Sequence, residues 1–471
     1  MSATAASLQA GDEAASGRRT VLYVSHNHPK VRPGGAEAYA LELYTALRQD
    51  PDFDAVFLAK GGPPLSPVGR VHLGTYVAPA GQDDGQYFMF TDGYDYDWLN
   101  GTIRHSKELY TKHFAAFLDG IRPDIVHFQH TMFFGYDILR ATRRTLPHAP
   151  IVYTLHEFMP ICHRQGQMVR TVDGAPCAEE SPRRCHECFP DVSPQAFFLR
   201  KRFVQSHLAL VDRFIAPSAF LRDRYVDWGI PTERILVEEY GRRSMSGGPA
   251  EDMTPRRRNR LGFFGQITPF KGIDVLLEAM ALLQADEPGP IAPTAAAPSV
   301  PDEADAALAP PPLAQAWVHG ANLDLQPGEF QNRFRALLEA TARSVTLVGR
   351  YAPDEIGQLM AGVDWVVVPS IWWENSPLVI QEAFAHGRPV ICSDIGGMAE
   401  KVTNEVNGLH FRAGDARSLA ATIRRAVEEP GLWERLRTGI PEPYLMDRHV
   451  PRMKALYDEL LTGRDRRGEG R

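Results

Sequence analysis

Two doubly wound α/β domains of similar size, each an open parallel sheet covered by helices on both faces, form the fold class that the sequence predicts. Three observations predict it. Short β-branched runs alternate with stretches of helical period along the chain. The alternation starts afresh after a glycine-, serine- and arginine-rich segment near the middle, "GRRSMSGGPAEDMTPRRR". The 471 residues, 44% of them hydrophobic, are enough for two separate cores.

In chain order, a small-residue tail over 1–18 is expected to be disordered. "TVLYVSHNHP" then has the pattern of a buried strand, and "GGAEAYALELYTALRQ" that of a helix behind a glycine pair. "DAVFLA", "DIVHFQH", "IVYTLHEF", "RFIAPS" and "RILVEEYG" are further strands, with "KELYTKHFAAFLDGI", "GYDILRATRRTL" and "AFLRDRYVDWG" as helices between them. Residues 19–240 thus make the first domain and 241–258 the linker. The second domain, 259–440, runs through "RLGFFGQI", "GIDVLLEAMALLQ", "AWVHG", "EFQNRFRALLEATA", "SVTLVG", "DEIGQLMAG", "DWVVVPS", a helix after Pro377, and "PVICSD". Within it, residues 286–315 are alanine- and proline-rich and lack the bulky side chains that offset ordering entropy, so a flexible insertion is expected there. "HVPRMKALYDELL" is amphipathic, which predicts a C-terminal helix over 441–463 packing across the domain junction, ahead of a polar tail at 464–471.

A net charge of -7 argues against a dedicated nucleic-acid binder, which needs a basic surface to neutralise phosphates. No apolar run approaches the roughly 20 residues of a membrane span, and "MSATAASLQAGDEAASGRRT" lacks the apolar core of a signal peptide. The expected location is the cytoplasm, at most peripheral to the inner face of the membrane.

The chemistry concentrates in "WWENSPLVIQEAFAHGRPVICSD", where Glu374 and Glu382 stand eight positions apart with Pro377 between them. Ligands of open parallel sheets bind outside the carboxyl ends of the strands. "DWVVVPS" ends at Ser370, so "IWWENSP" is a ligand-side loop, and Pro377 suits the first helical position, where its missing N–H costs nothing. The amides around Ser376, Pro377, Leu378 and Val379 then form the outward-facing head of a helix, suited to a phosphate. Carboxylates beside a phosphate serve hydroxyls, because an ionised carboxylate accepts bonds from a diol. The inferred ligand is a nucleotide sugar. Two solvated helix charges are the bland alternative. The first half carries a matching "HPKVRPGGAEAY", where Gly34 and Gly35 allow a second helix terminus to approach a ligand.

The combination of "GFFGQITPFKG" and "ENSPLVIQEA" with "GGAE" and "TLHEF" resembles the retaining glycosyltransferases of family 4, also called group 1, over about residues 20–440. The resemblance implies the GT-B fold, two Rossmann-like domains facing a central cleft. It implies transfer of a sugar from a UDP- or GDP-linked donor to a saccharide or lipid-linked saccharide, with retention, without a catalytic metal, in polysaccharide biosynthesis. It also implies site roles. Glu382 binds the donor ribose, Glu374 contacts hydroxyls of the donor sugar, the intervening amides hold the diphosphate, with Asn375 among the donor-binding residues, and Lys271 neutralises the departing diphosphate. His156 reaches the donor sugar near the reacting centre, and Gly265 and Gln266 line the donor site. Many relatives have an arginine where Gln266 stands. Arg350 is a candidate to compensate, and Tyr351 to flank the base. The common Phe-Gly between the glutamates is Ser376-Pro377 here, which changes the loop.

A nicotinamide dehydrogenase would need G-x-G-x-x-G after the first strand, which "HNHPKVRPGGAE" lacks. A nucleotide-sugar epimerase of the same fold is the nearer alternative, and a non-catalytic sugar-nucleotide binding protein the more distant one. "AFFLRKRFVQSHLALV" combines phenylalanines with Arg200, Lys201 and Arg202; it is either a surface for an anionic membrane or a core helix with a short charged face. Finally, four of the five cysteines, Cys162, Cys177, Cys185 and Cys188, fall within 27 residues and end in C-x2-C. That spacing suits a structural zinc with four thiolate ligands, with His163 and His186 as spare ligands; four reduced thiols are the alternative.

Overall fold

The structure is a computed structural model that describes residues 17–32, 34–62, 76–81, 85–90, 109–243, 257–286 and 311–468, of which 109–111, 353 and 464–468 in backbone only. The chain divides into two compact units, Met1–Ser244 with Tyr444–Arg471, and Met245–Pro443. Most of the anticipated linker, and residues 287–310 of the anticipated insertion, lie outside the described residues.

The first unit contains β1 (Arg19–Ser25), α1 (Gly35–Leu47), β2 (Phe53–Gly61), β3 (Tyr76–Pro79), β4 (Gln86–Phe90), α2 (Ala115–Ile121), β5 (Ile125–Phe128), α3 (Asp137–Thr145), β6 (Ile151–Thr154), α4 (Pro182–Cys188), α5 (Pro194–Leu208), β7 (Arg213–Ala216), α6 (Ala219–Trp228) and β8 (Ile235–Val237). Its sheet has the order β3-β4-β2-β1-β5-β6-β7-β8. All described pairings are parallel except β3 with β4. β5 and β6 are buried at every residue, as strands covered on both faces must be. The short hairpin partner β3 was not expected. It is half exposed along its length and carries no buried run for a sequence pattern to show.

The second unit contains β9 (Arg260–Gln266), α7 (Ile273–Ala285), β10 (Gln315–Ala321), α8 (Gly328–Ala340), β11 (Val345–Gly349), α9 (Ile356–Ala361), β12 (Trp365–Val368), α10 (Leu378–Ala385), β13 (Val390–Ser393), α11 (Gly396–Lys401), β14 (Gly408–Phe411), α12 (Ala416–Glu428) and α13 (Leu432–Thr438). Its six strands are parallel in the order β11-β10-β9-β12-β13-β14. One core packs α7, α8 and α12 on one side of the sheet around Trp365 and Trp433. Each indole is also tied by its N–H to a backbone carbonyl, of Arg258 and Asp364 respectively.

In both sheets the strand order reverses at the centre, between β1 and β5 and between β9 and β12. Loops leaving such neighbours diverge to opposite faces and open a crevice at the carboxyl edge. The last helix, α14 (Met446–Gly468), starts five residues later than expected and continues into the segment taken as a polar tail. It returns the chain to the first unit. Tyr457 is buried and bonds to Tyr23 and His127 at 3.1 and 2.7 Å, while Lys454 reaches Asp50 and Asp52. Where the chain leaves and re-enters this unit, Arg242 and Leu445 pair as a parallel bridge.

Candidate functional site

At the crevice of the second sheet, β9 leads into a 3-10 turn, Pro269–Lys271, that ends at Gly272 with φ +64°. A Cβ at Gly272 would lie 1.9 Å from the Pro369 carbonyl oxygen, so only glycine lets this turn lie against the end of β12. The contact brings Lys271 Nζ to 2.6 Å from Glu374 Oε1. The same oxygen accepts from Ser370 Oγ and Trp372 Nε1, both at 2.8 Å. Glu374 is 7% exposed. Burial alone would raise its pKa, but the Lys271 charge and these three donors outweigh it and hold the carboxyl below its ordinary range. In this structure, therefore, the two residues expected to face diphosphate and sugar neutralise each other.

The backbone of the Glu374 loop is held by a feature that the sequence reading passed over. The amide of Gly397 bonds to the Glu374 carbonyl at 2.7 Å. A Cβ at Gly397 would meet the Asn375 carbonyl oxygen at 1.8 Å. The signal was present as the glycine pair of "SDIGGMAEK" directly after a strand. Pro377 is the N-cap of α10, one position earlier than expected, and Leu378 is its first helical residue. The Ser376 amide bonds to the side chain of Asn375 and that of Ile380 to the Pro377 carbonyl, so Leu378 and Val379 head the helix.

Glu382 is partly exposed on α10. Its charge adds to burial in raising the Tyr351 phenol pKa, so the two lie within electrostatic reach of each other. Tyr351 packs edge-on against Phe264 and His319, whose rings stack at 4.7 Å with an interplanar angle of 2°. This aromatic group beside Glu382 was also not anticipated beyond Tyr351. Gln266 and Arg350 are exposed, at the ends of β9 and β11. A Cβ at Gly265 would find only ordinary contacts, 3.8 Å from Phe263, so packing within the protein does not demand glycine there.

The carboxyl edge of the first sheet carries His156 together with side chains that the sequence reading did not single out. Gly34 and Gly35 head α1, but its end is closed by the chain itself. A Cβ at Gly34 would lie 2.3 Å from Glu37 Oε2. Glu37 is buried, and its other oxygen is 3.0 Å from His26 Nε2 and 3.3 Å from Asn27 Nδ2. Burial keeps His26 neutral, donating Nε2–H to the ionised carboxylate. His130 receives the Met132 amide at Nδ1, so its Nε2–H faces Glu157 at 3.1 Å. The rings of His26 and His130 are 4.6 Å apart. His156 bonds through Nδ1 to the Tyr240 hydroxyl at 2.6 Å and through Nε2 to Gln129 Oε1 at 3.1 Å. Desolvation, with the neighbouring His130 and His26, pushes its pKa well below the ordinary imidazole value, against an opposing contribution from Glu37.

Backbone hydrogen bonds order the cysteine segment. Val169 and Pro176 form a bridge, the Cys177 amide bonds to the Met168 carbonyl at 2.7 Å, and α4 holds Cys185 and Cys188. All five cysteines are free thiols. Among the described residues no three His, Cys, Asp or Glu side chains are gathered so as to hold a metal ion, and the four-thiolate site expected from the spacing is not assembled. Burial pushes the Cys185 thiol up to about 12 and raises Cys162 and Cys177 as well. His163 packs between the rings of Phe189 and Phe197, and His186 Nδ1–H donates to the Val192 carbonyl.

On α5 the expected cationic face is largely used internally. Arg200 is buried against the Met159 and Pro160 carbonyls and Lys201 pairs with Glu180 at 2.9 Å, while Phe198, Leu199 and Arg202 stay exposed. Among the described residues no helix is long and apolar enough to cross a membrane.

The chain thus forms two Rossmann-like units, with a lysine–glutamate pair and a helix terminus at the crevice of the second sheet. The chain matches the family described as Glycosyltransferase Family 4 over residues 33–237 and that described as Glycosyl transferases group 1 over residues 302–429. Together these span well over half of the chain, which belongs to the family 4, group 1 glycosyltransferases and has the GT-B fold. The D-inositol 3-phosphate glycosyltransferase of Jonesia denitrificans is 30% identical over 199 residues, 42% of this chain and 42% of that protein. Its counterpart from Salinispora arenicola is 28% identical over 263 residues, 54% of this chain and 52% of that protein. The matches thus span about half the length of these relatives. Among solved structures, Anabaena Alr3699/HepE in complex with UDP and glucose aligns with a TM-score of 0.60 at 16% identity, over 94% of this chain and all of that one. Sucrose-phosphate synthase from Thermosynechococcus elongatus aligns with a TM-score of 0.65 at 17% identity, over 95% of this chain and all of that one.

Proposed function

We propose that the protein transfers a glycosyl group from a nucleoside-diphosphate sugar to a hydroxyl of a saccharide or lipid-linked saccharide, with retention of configuration and without a catalytic metal. The observation that carries this reading is the Lys271–Glu374 pair beside the head of α10 at the crevice of the second sheet. A bound diphosphate takes over the Lys271 ammonium and the Leu378 and Val379 amides, which stabilise negative charge as the leaving group departs. Glu374, released from Lys271, accepts hydroxyls of the donor sugar. Glu382 accepts the ribose hydroxyls, and Tyr351 beside it offers a face to the base. HepE, whose solved complex holds UDP, supports a uridine donor as the first to test, and the relatives named for D-inositol 3-phosphate support a polyhydroxylated acceptor.

The test is a panel of nucleotide sugars assayed for released nucleoside diphosphate, with and without saccharide acceptors. Release that rises with acceptor and yields a product of unchanged anomeric configuration supports the reading. Conversion of the sugar to an epimer with no diphosphate released would replace it with the epimerase, and binding without turnover with the sensor.

A further inference from the structure

The C-terminal helix does more than cover the first unit, because a continuous set of contacts runs from it to His156. Glu238, buried just beyond β8, accepts from His449 Nδ1 at 3.0 Å and also from the Tyr444 hydroxyl and Arg452 Nε. Burial would raise the Glu238 pKa, but these three donors hold it below the ordinary carboxylate range, and the group stays ionised. The opposite edge of the His449 ring, Nε2, bonds to the Tyr39 hydroxyl at 2.9 Å. The Tyr39 ring in turn packs against Tyr240 at 4.5 Å and edge-on against His156 at 5.8 Å. Tyr240 stacks on His156 at 5.4 Å and bonds to its Nδ1. Close approach is built into the backbone: a Cβ at Gly241 would lie 2.4 Å from His449 Cβ.

We propose that Tyr240, held by α14 through Glu238, His449 and Tyr39, is a positioning residue that fixes His156 as its Nε2–H tautomer and aims that N–H at a ligand hydroxyl. A neutral imidazole has one donor and one acceptor; the Gln129 Oε1 atom 3.1 Å from Nε2 can only accept, so the proton sits on Nε2 and the Tyr240 hydroxyl donates to Nδ1. That N–H meets Gln129 Oε1, whose own amide nitrogen is buried without a hydrogen-bond partner among the described residues. The inference rests on reading His156 as a site residue of the proposed transfer.

The experiment is nitrogen NMR of the full chain labelled with 15N at histidine, with the His156 signals identified by their loss in His156→Ala. Wild type is expected to show a protonated Nε2 and a bare, hydrogen-bonded Nδ1. Tyr240→Phe should populate both tautomers and lower kcat for nucleotide-sugar turnover about tenfold or more, with donor KM unchanged. His449→Gln should shift the same signals less. Lys454→Ala, which loosens α14 at Asp50 and Asp52 away from these contacts, should leave them unmoved. A wild-type proton on Nδ1, an unchanged spectrum in Tyr240→Phe, or an equal shift in Lys454→Ala would overturn the proposal. Full turnover in His156→Ala would instead remove the site reading and leave the tautomer result standing.

Discussion

At the carboxyl edge of the first sheet the helix terminus behind Gly34 is closed by the Glu37 carboxylate, whereas at that of the second sheet the terminus behind Pro377 has Lys271 and Glu374 paired beside it. The same local grammar, strand, glycine or proline, helix, thus serves two ends. In the first unit the Glu37 carboxylate lies at the helix head, and the edge carries three imidazoles, His26 and His156, whose pKa values burial lowers, and His130 against His26. In the second, a cation and an anion are paired beside the helix head. The glycines differ in the same way. An added Cβ at Gly34 meets the end of a flexible side chain, but at Gly272 and Gly397 it meets backbone carbonyls.

The largest effect that tests this comparison is on the charged pair. Lys271→Ala should lower kcat/KM by about a hundred- to a thousandfold, as measured by diphosphate release, because the leaving group loses its cation. It should also cost about 2 kcal/mol of stability by chemical denaturation, since Glu374 is left buried without its counter-charge, with only Ser370 and Trp372 as donors, while the part-exposed ammonium was partly screened. Full activity would make Lys271 a structural charge only.

Next come the two glycines. Gly272→Ala combines a left-handed φ with a backbone collision and should cost on the order of 3 kcal/mol. Gly34→Ala, with φ -160°, should cost about 1 kcal/mol as Glu37 swings away. Equal costs would erase the distinction between the two edges.

Acid gives a third test. The Glu374 carboxyl is depressed in the folded state, so its contribution to stability is present above its ordinary value of 4.5 and is lost as pH falls through the lower folded value. Stability of Glu374→Gln should therefore vary less with pH below about 4.5 than that of wild type; parallel curves would show that the pair is not ionised as described.

Glu382→Ala should weaken nucleotide-sugar binding about tenfold by calorimetry, the loss of one charge-assisted bond to a diol. Smallest of all, Gln266→Arg should change donor turnover by no more than about twofold, because the exposed end of β9 has room for a longer side chain.

The strands were legible in the sequence because a strand buried on both faces has to be a near-continuous apolar run, and "DIVHF", "IVYT" and "DWVVV" admit little else. Lys271 and Glu374 stand out because they lie five and six residues beyond the ends of β9 and β12, with Glu382 on the helix that follows. By itself, then, the sequence determined two parallel α/β sheets and which loops face their ligand edges. Tertiary structure decided what those loops hold. Glu37 and His26 are eleven residues apart, Lys271 and Glu374 about a hundred, and His449 returns to Glu238 across the whole second unit. Periodicity reports only which face a residue takes within its own element. The partner of a buried charge, or the backbone that a glycine must clear, is set by elements the chain reaches much later.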